Sequence, residues 1–263
     1  KKSYSSSTKR HCSNDPQNPT GTNIYHPSRA QRKMRNNSPA IMLFAAGFGT
    51  RMGALTKKQP KPLIKVAGRP LIDHALKLFD DIHASNIVVN LHYKAAMLEE
   101  YLQDKAVQTI HEYPEILDTG GGLKNALPLL GYEPVITSNS DAVWVGPNPI
   151  KLLMKAWNPI RMDALLMCIP TKQAHGHKGS GDFKIEPDGQ LSRSGDNIYG
   201  GLQILKTDLL QTIMKPSFSL NMIWDQMAAN RSLFGVKYSG KWCDVGHPGG
   251  ITAAELMLAS FDV

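Results

Sequence analysis

The chain has 263 residues, 41% of them hydrophobic, and a formal net charge of +8 at pH 7. This length and composition allow one large α/β domain or two small ones and exclude disorder of the whole chain. No stretch approaches the roughly 18 consecutive apolar residues of a membrane-spanning helix, so we expect no membrane partner.

The positive charge is concentrated in residues 1–38, which hold eight Lys or Arg residues and one acid, Asp15. This segment is rich in Ser, Asn, Thr and Pro and poor in large apolar residues, so we predict a disordered basic tail. Because residue 1 is not Met and Met34 stands just before the first predicted strand, we interpret it as a tag, a linker or a misassigned start. A transit peptide, or an arm that binds nucleic acid or a membrane surface, is the alternative.

Residues 39–263 are predicted to form one nearly neutral folded domain, for which no nucleic-acid partner is expected. In its first half, apolar runs typical of strands alternate with helical periodicity. The predicted strands are residues 40–46, 86–90, 107–113 and 134–138, and the predicted helices are 71–83, 95–102 and 122–130. This alternation is typical of βαβ units, with a parallel sheet covered by helices on both faces.

After Ile150 the pattern changes to shorter strands separated by Gly and Pro. The predicted strands are residues 164–169, 183–186, 190–193, 198–205, 234–238 and 241–244, and the predicted helices are 151–157, 207–212, 220–230 and a last one from Gly250. We therefore predict an α/β fold with a mostly parallel sheet and an inserted, smaller antiparallel part.

The cysteines and histidines do not indicate a metal centre. Cys12, Cys168 and Cys243 are odd in number and have no CxxC spacing, which favours a reducing cytoplasm over structural zinc. His175 and His177 lie in a glycine-rich segment and are interpreted as part of a solvated turn.

The first strand leads into AAGFGTRMG, residues 45–53, at the sheet edge where open α/β folds bind ligands. Gly47 and Gly49 allow backbone amides to approach an anion, and Thr50 adds a hydroxyl donor. Arg51 offers a forked cation suited to phosphate oxygens, and Lys61 adds a second cation between two prolines. The spacing matches neither a dinucleotide-binding fingerprint nor a P-loop. We interpret these residues as a polyphosphate site, a tight strand-to-helix turn being the alternative for the glycines alone.

In the segment DTGGGLKNALPLL, residues 118–130, Thr119 can cap the helix predicted at 122–130. Gly120, Gly121 and Gly122 carry no side chains, which leaves room for a nucleobase or a ribose. A loose helix-entry turn is the alternative for these glycines.

Two aspartates are expected on the ligand side of the sheet. Asp141 follows the strand predicted at 134–138, and Asp244 lies at the end of the short strand 241–244, before a glycine. Mg²⁺ on a nucleotide is usually held by one or two carboxylates together with phosphate oxygens and waters. The pair is therefore predicted to bind Mg²⁺.

The motifs resemble, in their order along residues 39–259, those of the sugar-phosphate nucleotidyltransferases. LFAAGFGTRM and PKPLIKVAGRPLI are similar to the signature of that family. LDTGGGLKNALPLL, SNSDAVW, GSGDF, YGGLQIL and WCDVG resemble its branch that uridylylates N-acetylmuramate 1-phosphate. The resemblance implies a Rossmann-like fold of the nucleotide-diphospho-sugar transferase type.

The resemblance also implies a role for each site residue. Gly47, Gly49 and Arg51 would hold the triphosphate, Lys61 the α-phosphate, Thr119 to Gly122 the base and ribose, and Asp141 and Asp244 the Mg²⁺. Ala45, Ala46 and Thr50 would complete the nucleotide site, and Asn139, Gly181, Asp182 and Gly201 would line the sugar-phosphate pocket.

The implied reaction joins a nucleoside triphosphate and a sugar 1-phosphate into a nucleotide-sugar and pyrophosphate. UTP and N-acetylmuramate 1-phosphate are the expected pair, with a role in peptidoglycan recycling. A phosphate nucleophile is already ionised at neutral pH, so no general base is needed. The alternatives are the same chemistry on another sugar 1-phosphate or phosphocholine, and a non-catalytic relative that senses a nucleotide-sugar. The nucleobase, the sugar and the oligomeric state are left open.

Overall fold

The computed structural model describes residues 38–260, so Cys12 and nearly all of the predicted tail lie outside the described residues. The strands are β1 Ala40–Phe44, β2 Lys65–Val66, β3 Arg69–Pro70, β4 Asn86–Leu91, β5 Gln108–His111, β6 Val135–Asn139, β7 Ala142–Val145, β8 Ala164–Pro170, β9 Ala174–His175, β10 Phe183–Ile185, β11 Leu191–Arg193, β12 Asn197–Leu205, β13 Leu233–Lys237 and β14 Lys241–Asp244. The helices are α1 Ala54–Lys58, α2 Leu71–Lys77, α3 Ala95–Leu102, α4 Asp118–Leu130, α5 Pro149–Ala156, α6 Asp208–Thr212, α7 Asn221–Ala229 and α8 Pro248–Ala259. Within this part of the chain the longest helix, α4, has 13 residues, and no candidate membrane span is found.

Four adjacent parallel strands form one side of the main sheet, in the order β6, β1, β4, β5, with β5 at the edge. The central strand β1 has the sequence AIMLF, without a polar side chain. A strand of this kind suits a parallel sheet that is covered on both faces. Because the four strands run in the same direction, their carboxyl ends meet at one edge, where the segment 45–53 begins.

Alternate residues of β1 enter two different hydrophobic cores. Ile41 packs in one core with Ile72 of α2, and Met42 packs in the other with Leu123 of α4. All four side chains are fully buried. Burying each such side chain stabilises the fold by about 1.5 to 3 kcal/mol, so the helices on the two faces hold the central strands in place.

The antiparallel part is built on β12, which pairs antiparallel with β6, β8 and β10. Its pairing with β8 shifts register between Tyr199 and Gln203, and Gly201 within this bulge has φ 86. A separate three-stranded sheet has the order β7, β14, β9 and places Asp244 opposite Ala142. This small sheet brings the end of β14 close to Asp141.

The structure confirms the predicted α/β class, with a mostly parallel central sheet and helices around it. Helix α2 is shorter than predicted: it ends at Lys77, and the chain continues to Ile82 in tighter turns. Phe79 and Ile82 stay buried, so the apolar periodicity continues beyond the helix. Helix α4 is longer than predicted and begins at Asp118. The elements that the prediction lacked are β2, β3, β7, β9 and α1.

Candidate active site

The loop after β1 opens into a cavity of about 330 Å³. Gly49 has φ 62, a conformation that favours glycine, and a Cβ at this position would lie 2.9 Å from both Lys61 Cβ and Thr56 Cγ2. At Gly47, no atom of the described residues lies within 4 Å of an added Cβ. Gly49 therefore allows Lys61 to pack against the loop, and Gly47 leaves open space beside it.

Most of the predicted site residues line this cavity. They are Ala45, Ala46, Gly47, Gly49, Thr50, Arg51, Lys61, Thr119, Asn139 and Asp141. The structure thus brings residues from the ends of β1 and β6, from the turn at residue 61 and from the start of α4 to one cleft.

Lys61 forms an ion pair with Asp141. Its Nζ donates a hydrogen bond to Asp141 Oδ2 at 2.6 Å, and the lysine is only 8% exposed. Lys61 begins a short 3-10 turn between two buried prolines, Pro60 and Pro62. The turn fixes the backbone of the lysine, so its ammonium group is held at the carboxyl end of β6.

Asp244 lies in the same cluster as Arg51 and Asp141. A Cβ at Gly246 would be 2.9 Å from Arg51 Nη2 and from both carboxylate oxygens of Asp244. Burial raises the pKa of Asp244 above its usual range, and the negative charge of Asp141 raises this pKa further. The cationic groups of Lys61 and Arg51 act in the opposite direction. Asp244 pairs opposite Ala142, the neighbour of Asp141, so the negative charges of the two aspartates lie close together and repel each other.

The two carboxylates are suited to a divalent cation, because a cation between them would relieve this repulsion. Within residues 38–260 no group of three or more His, Cys, Asp and Glu side chains forms a metal site. A site with two carboxylates fits a cation that takes its other ligands from substrate phosphates and water. It does not fit a cation bound entirely by protein side chains, such as structural zinc.

The three glycines of α4 are packed against protein atoms. A Cβ on Gly120 would collide with the ring of Phe218, one on Gly121 with the carbonyl oxygen of Pro216, and one on Gly122 with Glu112 Oε1. None of the three lines the first cavity. Close packing within the protein thus accounts for these glycines, and their contact with a base or ribose stays a prediction.

The prediction that Thr119 caps α4 is wrong, because the residue before the helix is Leu117. Thr119 lies inside the first turn, where its Oγ1 accepts a hydrogen bond from Leu220 N at 3.0 Å. The amides of Gly120 and Gly121 both donate to the carbonyl oxygen of Phe218. The first turn of α4 is therefore bonded to the segment that precedes α7.

A second cavity, of about 270 Å³, adjoins the first. The two cavities share four lining residues, namely Phe44, Asp118, Thr119 and Asn139. Asp182 also lines the second cavity, and its Oδ2 accepts a hydrogen bond from Tyr199 N at 2.9 Å. Two of the predicted sugar-phosphate residues, Asn139 and Asp182, thus lie where a group attached to a phosphate in the first cavity would extend.

The other two predicted sugar-phosphate residues support this cavity without lining it. A Cβ on Gly201 would lie 3.0 Å from Asn139 Cβ, and one on Gly181 would collide with the carbonyl oxygen of Gly195. Both glycines permit close packing of the chain behind the cavity wall. A direct contact of Gly181 and Gly201 with the sugar phosphate stays a prediction.

Sequence reasoning missed several polar residues of the cleft, among them Asn90, Glu112 and Arg193. Asn90 and Glu112 line the first cavity, and each is 3% exposed. Arg193 lines the second. Asn90 and Glu112 lie at or just past the ends of β4 and β5, so the rule that ligands bind at strand ends could have identified them. We find no sequence signal for Arg193.

The fold and the cleft together define a nucleotidyltransferase. Residues 41–187 match the MobA-like NTP transferase domain, and the chain belongs to this family. It is 36% identical over 239 residues to the N-acetylmuramate alpha-1-phosphate uridylyltransferase of Caulobacter vibrioides. The alignment covers 85% of this chain and 99% of that protein. It is 30% identical over 216 residues to the enzyme of the same name from Neisseria meningitidis serogroup B. That alignment covers 78% of this chain and 92% of the Neisseria protein.

A solved structure shows the same fold. HddC from Yersinia pseudotuberculosis, crystallised in complex with GMP-PN, superimposes with a TM-score of 0.67 over 84% of this chain and 99% of HddC. The two sequences are 19% identical, so this similarity supports the fold alone.

Proposed function

We propose that the protein transfers a uridylyl group from UTP to N-acetylmuramate 1-phosphate, giving UDP-N-acetylmuramate and pyrophosphate. The observation that carries this proposal is the gathering of Arg51, Lys61 and Asp141 in the wall of one cleft, with Asp244 close to them although it does not line the cavity. The identity to two uridylyltransferases supports the choice of base and sugar.

The chemistry requires two anions to meet. A phosphate oxygen of the sugar 1-phosphate attacks the α-phosphorus of the triphosphate, and the bond to pyrophosphate breaks. The nucleophile is already ionised, so catalysis depends on alignment and on offsetting the repulsion between the anions. We assign this task to Lys61 at the α-phosphate and to Arg51 at the phosphates beyond it.

Asp141 and Asp244 are the residues that would hold a divalent cation, which we propose is Mg²⁺. When bound, it would supply positive charge opposite the phosphate oxygens. In this proposal Ala45, Ala46, Gly47, Gly49 and Thr50 bind the triphosphate, and Thr119 to Gly122 bind the base and ribose. Asn139, Gly181, Asp182 and Gly201 bind the sugar phosphate.

The proposed substrate is a sugar of the bacterial cell wall, so we place the enzyme in peptidoglycan recycling. We further propose a cytoplasmic location. The free cysteines Cys168 and Cys243 support it, because unpaired buried thiols are usual in a reducing compartment.

The test measures pyrophosphate release from a panel of triphosphates and phosphorylated acceptors, with mass spectrometry of the products. We expect Lys61→Ala and Asp141→Ala to lower turnover by about a hundredfold or more, because each removes a charge from the reacting centre. The exposed Lys65 gives the matched control, and Lys65→Ala should not change the rate.

Near-normal turnover in both variants with intact folding would contradict the proposal. Mass spectrometry distinguishes the remaining possibilities: a product from phosphocholine or from another sugar 1-phosphate would change the acceptor. No product from any pair would favour a non-catalytic protein that senses nucleotide-sugars.

A further inference from the structure

Arg193 lies in the wall of the second cavity, and none of the proposed chemistry uses it. Its guanidinium carbon lies 4.7 Å from the ring centroid of Phe183 and 5.9 Å from that of Trp224. Nε and Nη2 donate hydrogen bonds to Asp225 Oδ1 at 2.9 and 2.7 Å. Stacking and hydrogen bonding therefore hold the guanidinium group in one orientation.

Part of this cation is still available to a ligand. Among residues 38–260, Arg193 Nη1 donates no hydrogen bond, whereas Nε and Nη2 are both used. The side chain of Asp225 is 62% exposed, so solvent screens its charge and the guanidinium keeps much of its attraction for a second anion.

The acidic residues of the same cavity are bonded to backbone amides. Asp182 Oδ2 accepts from Tyr199 N, and Asp118 Oδ1 accepts from Thr119 N at 2.5 Å. The charged side chains that line the cavity are these two aspartates and Arg193. Arg193 is thus the group in the wall that can bind a negatively charged substituent on the sugar.

We propose that Arg193 selects sugar 1-phosphates that carry a carboxylate substituent, which it binds through Nη1. The inference rests on the proposed function and adds a specificity-determining residue to it. N-acetylmuramate differs from N-acetylglucosamine by a lactyl ether that ends in a carboxylate. The guanidinium group is a favourable partner for a carboxylate.

The experiment compares two acceptors with saturating UTP: N-acetylmuramate 1-phosphate and N-acetylglucosamine 1-phosphate. The readout is the ratio of their kcat/KM values, measured by pyrophosphate release. We expect Arg193→Gln to lower this ratio by about tenfold or more, because the charged lactyl group is what distinguishes the two acceptors. Arg193→Lys should retain more of the ratio, because it keeps the charge without the fork.

Arg161 gives a matched control, since its guanidinium lies 5.1 Å from the ring centroid of Phe234 and it lines neither cavity. Arg161→Gln should leave the ratio unchanged. A third acceptor, in which an amide replaces the lactyl carboxylate, tests charge apart from size. Wild type should use this amide less well than the carboxylate, and Arg193→Gln should treat the two more equally.

The inference is overturned if Arg193→Gln leaves the ratio at its wild-type value, including the case in which kcat/KM falls by the same factor for both acceptors. It is also overturned if wild type prefers the uncharged sugar. Failure of the proposed uridylyl-transfer chemistry gives a different result, since wild type would then release no pyrophosphate with either acceptor.

Discussion

Asn90 and Glu112 join two segments of the nucleotide side of the cleft through three hydrogen bonds. Asn90 Oδ1 accepts from Ala45 N at 2.7 Å, and its Nδ2 donates to Glu112 Oε1 at 2.6 Å. Glu112 Oε2 accepts from Leu117 N at 2.7 Å. The residue that begins the loop after β1 is therefore connected to the residue that precedes α4. The pair fixes the distance between the proposed phosphate and nucleoside sites.

This connection predicts that exchanging the two side-chain types rescues the single variants. Glu112→Gln leaves a single side-chain oxygen to accept hydrogen bonds from both Asn90 Nδ2 and Leu117 N. Asn90→Asp places two carboxylates in contact. Each single variant should therefore lower the free energy of unfolding by about 1 to 3 kcal/mol. In the double variant, the new amide at position 112 can donate to the new carboxylate at position 90 and accept from Leu117 N, while that carboxylate accepts from Ala45 N. Denaturant unfolding and the KM for UTP should both return towards wild type. A double variant that loses the sum of the two single effects would contradict this arrangement.

For single residues, sequence reasoning identifies charged side chains that stand out from their neighbours near the predicted strand ends and loops. Lys61 between two prolines and Asp141 after an apolar strand are of this kind, and the structure places them in one ion pair. Asn90 and Glu112 are harder to predict, because their meeting depends on the register between β4 and β5. Arg193 depends in addition on aromatic rings from two separate elements.

Helix α4 shows what the glycines of its first turn do for the fold. A Cβ on Gly121 would meet the backbone carbonyl oxygen of Pro216, which cannot rotate away as a side chain could. Gly47, in the loop after β1, has no such neighbour among the described residues. Gly121 is therefore needed for packing, whereas Gly47 leaves open space among the described residues and is proposed to serve ligand binding.

The contrast predicts opposite behaviour for two alanine substitutions. Gly121→Ala should lower the free energy of unfolding by about 2 kcal/mol or more, because the backbone must shift to admit the methyl group. Gly47→Ala should change it by less than about 0.5 kcal/mol but raise the KM for UTP, because the methyl group occupies the proposed phosphate side of the loop. Chemical denaturation and initial rates give the two readouts. Equal stability of the two variants would show that packing against Pro216 is not what Gly121 provides.

Among the elements, the alternation of strands and helices is predictable because the strands β1, β4 and β6 are mostly buried and the helices cover the faces of the sheet. Helix ends are less predictable, since a chain can stay buried after its helical hydrogen bonding has ended. Phe79 and Ile82 remain in the core after α2 has ended, so their spacing alone predicts a longer helix.

For the molecule as a whole, the match to the family begins at residue 41, and the predicted site residues from Ala45 to Asp244 all follow it in the sequence. We therefore predict that a chain lacking residues 1–37 keeps its kcat/KM within about twofold and its Tm close to that of the full chain. Any affinity for nucleic acid should depend on salt and disappear with the deletion, since the excess charge lies in that segment. Loss of turnover on deletion would assign the segment a part in the reaction.

The hydrogen bonds between α4 and the segment before α7 have a mechanical consequence. Phe218 O and Leu220 N bond the first turn of α4 to the segment before α7, and Thr119 and Leu220 both line the second cavity. Separating these two parts of the chain would break at least five hydrogen bonds, because Phe218 N and Ser217 Oγ also donate to Leu117 O and Ile116 O. Each bond contributes about 0.5 to 1.5 kcal/mol. The start of α4 and the segment before α7 should therefore move as one body when substrates enter or leave the cleft.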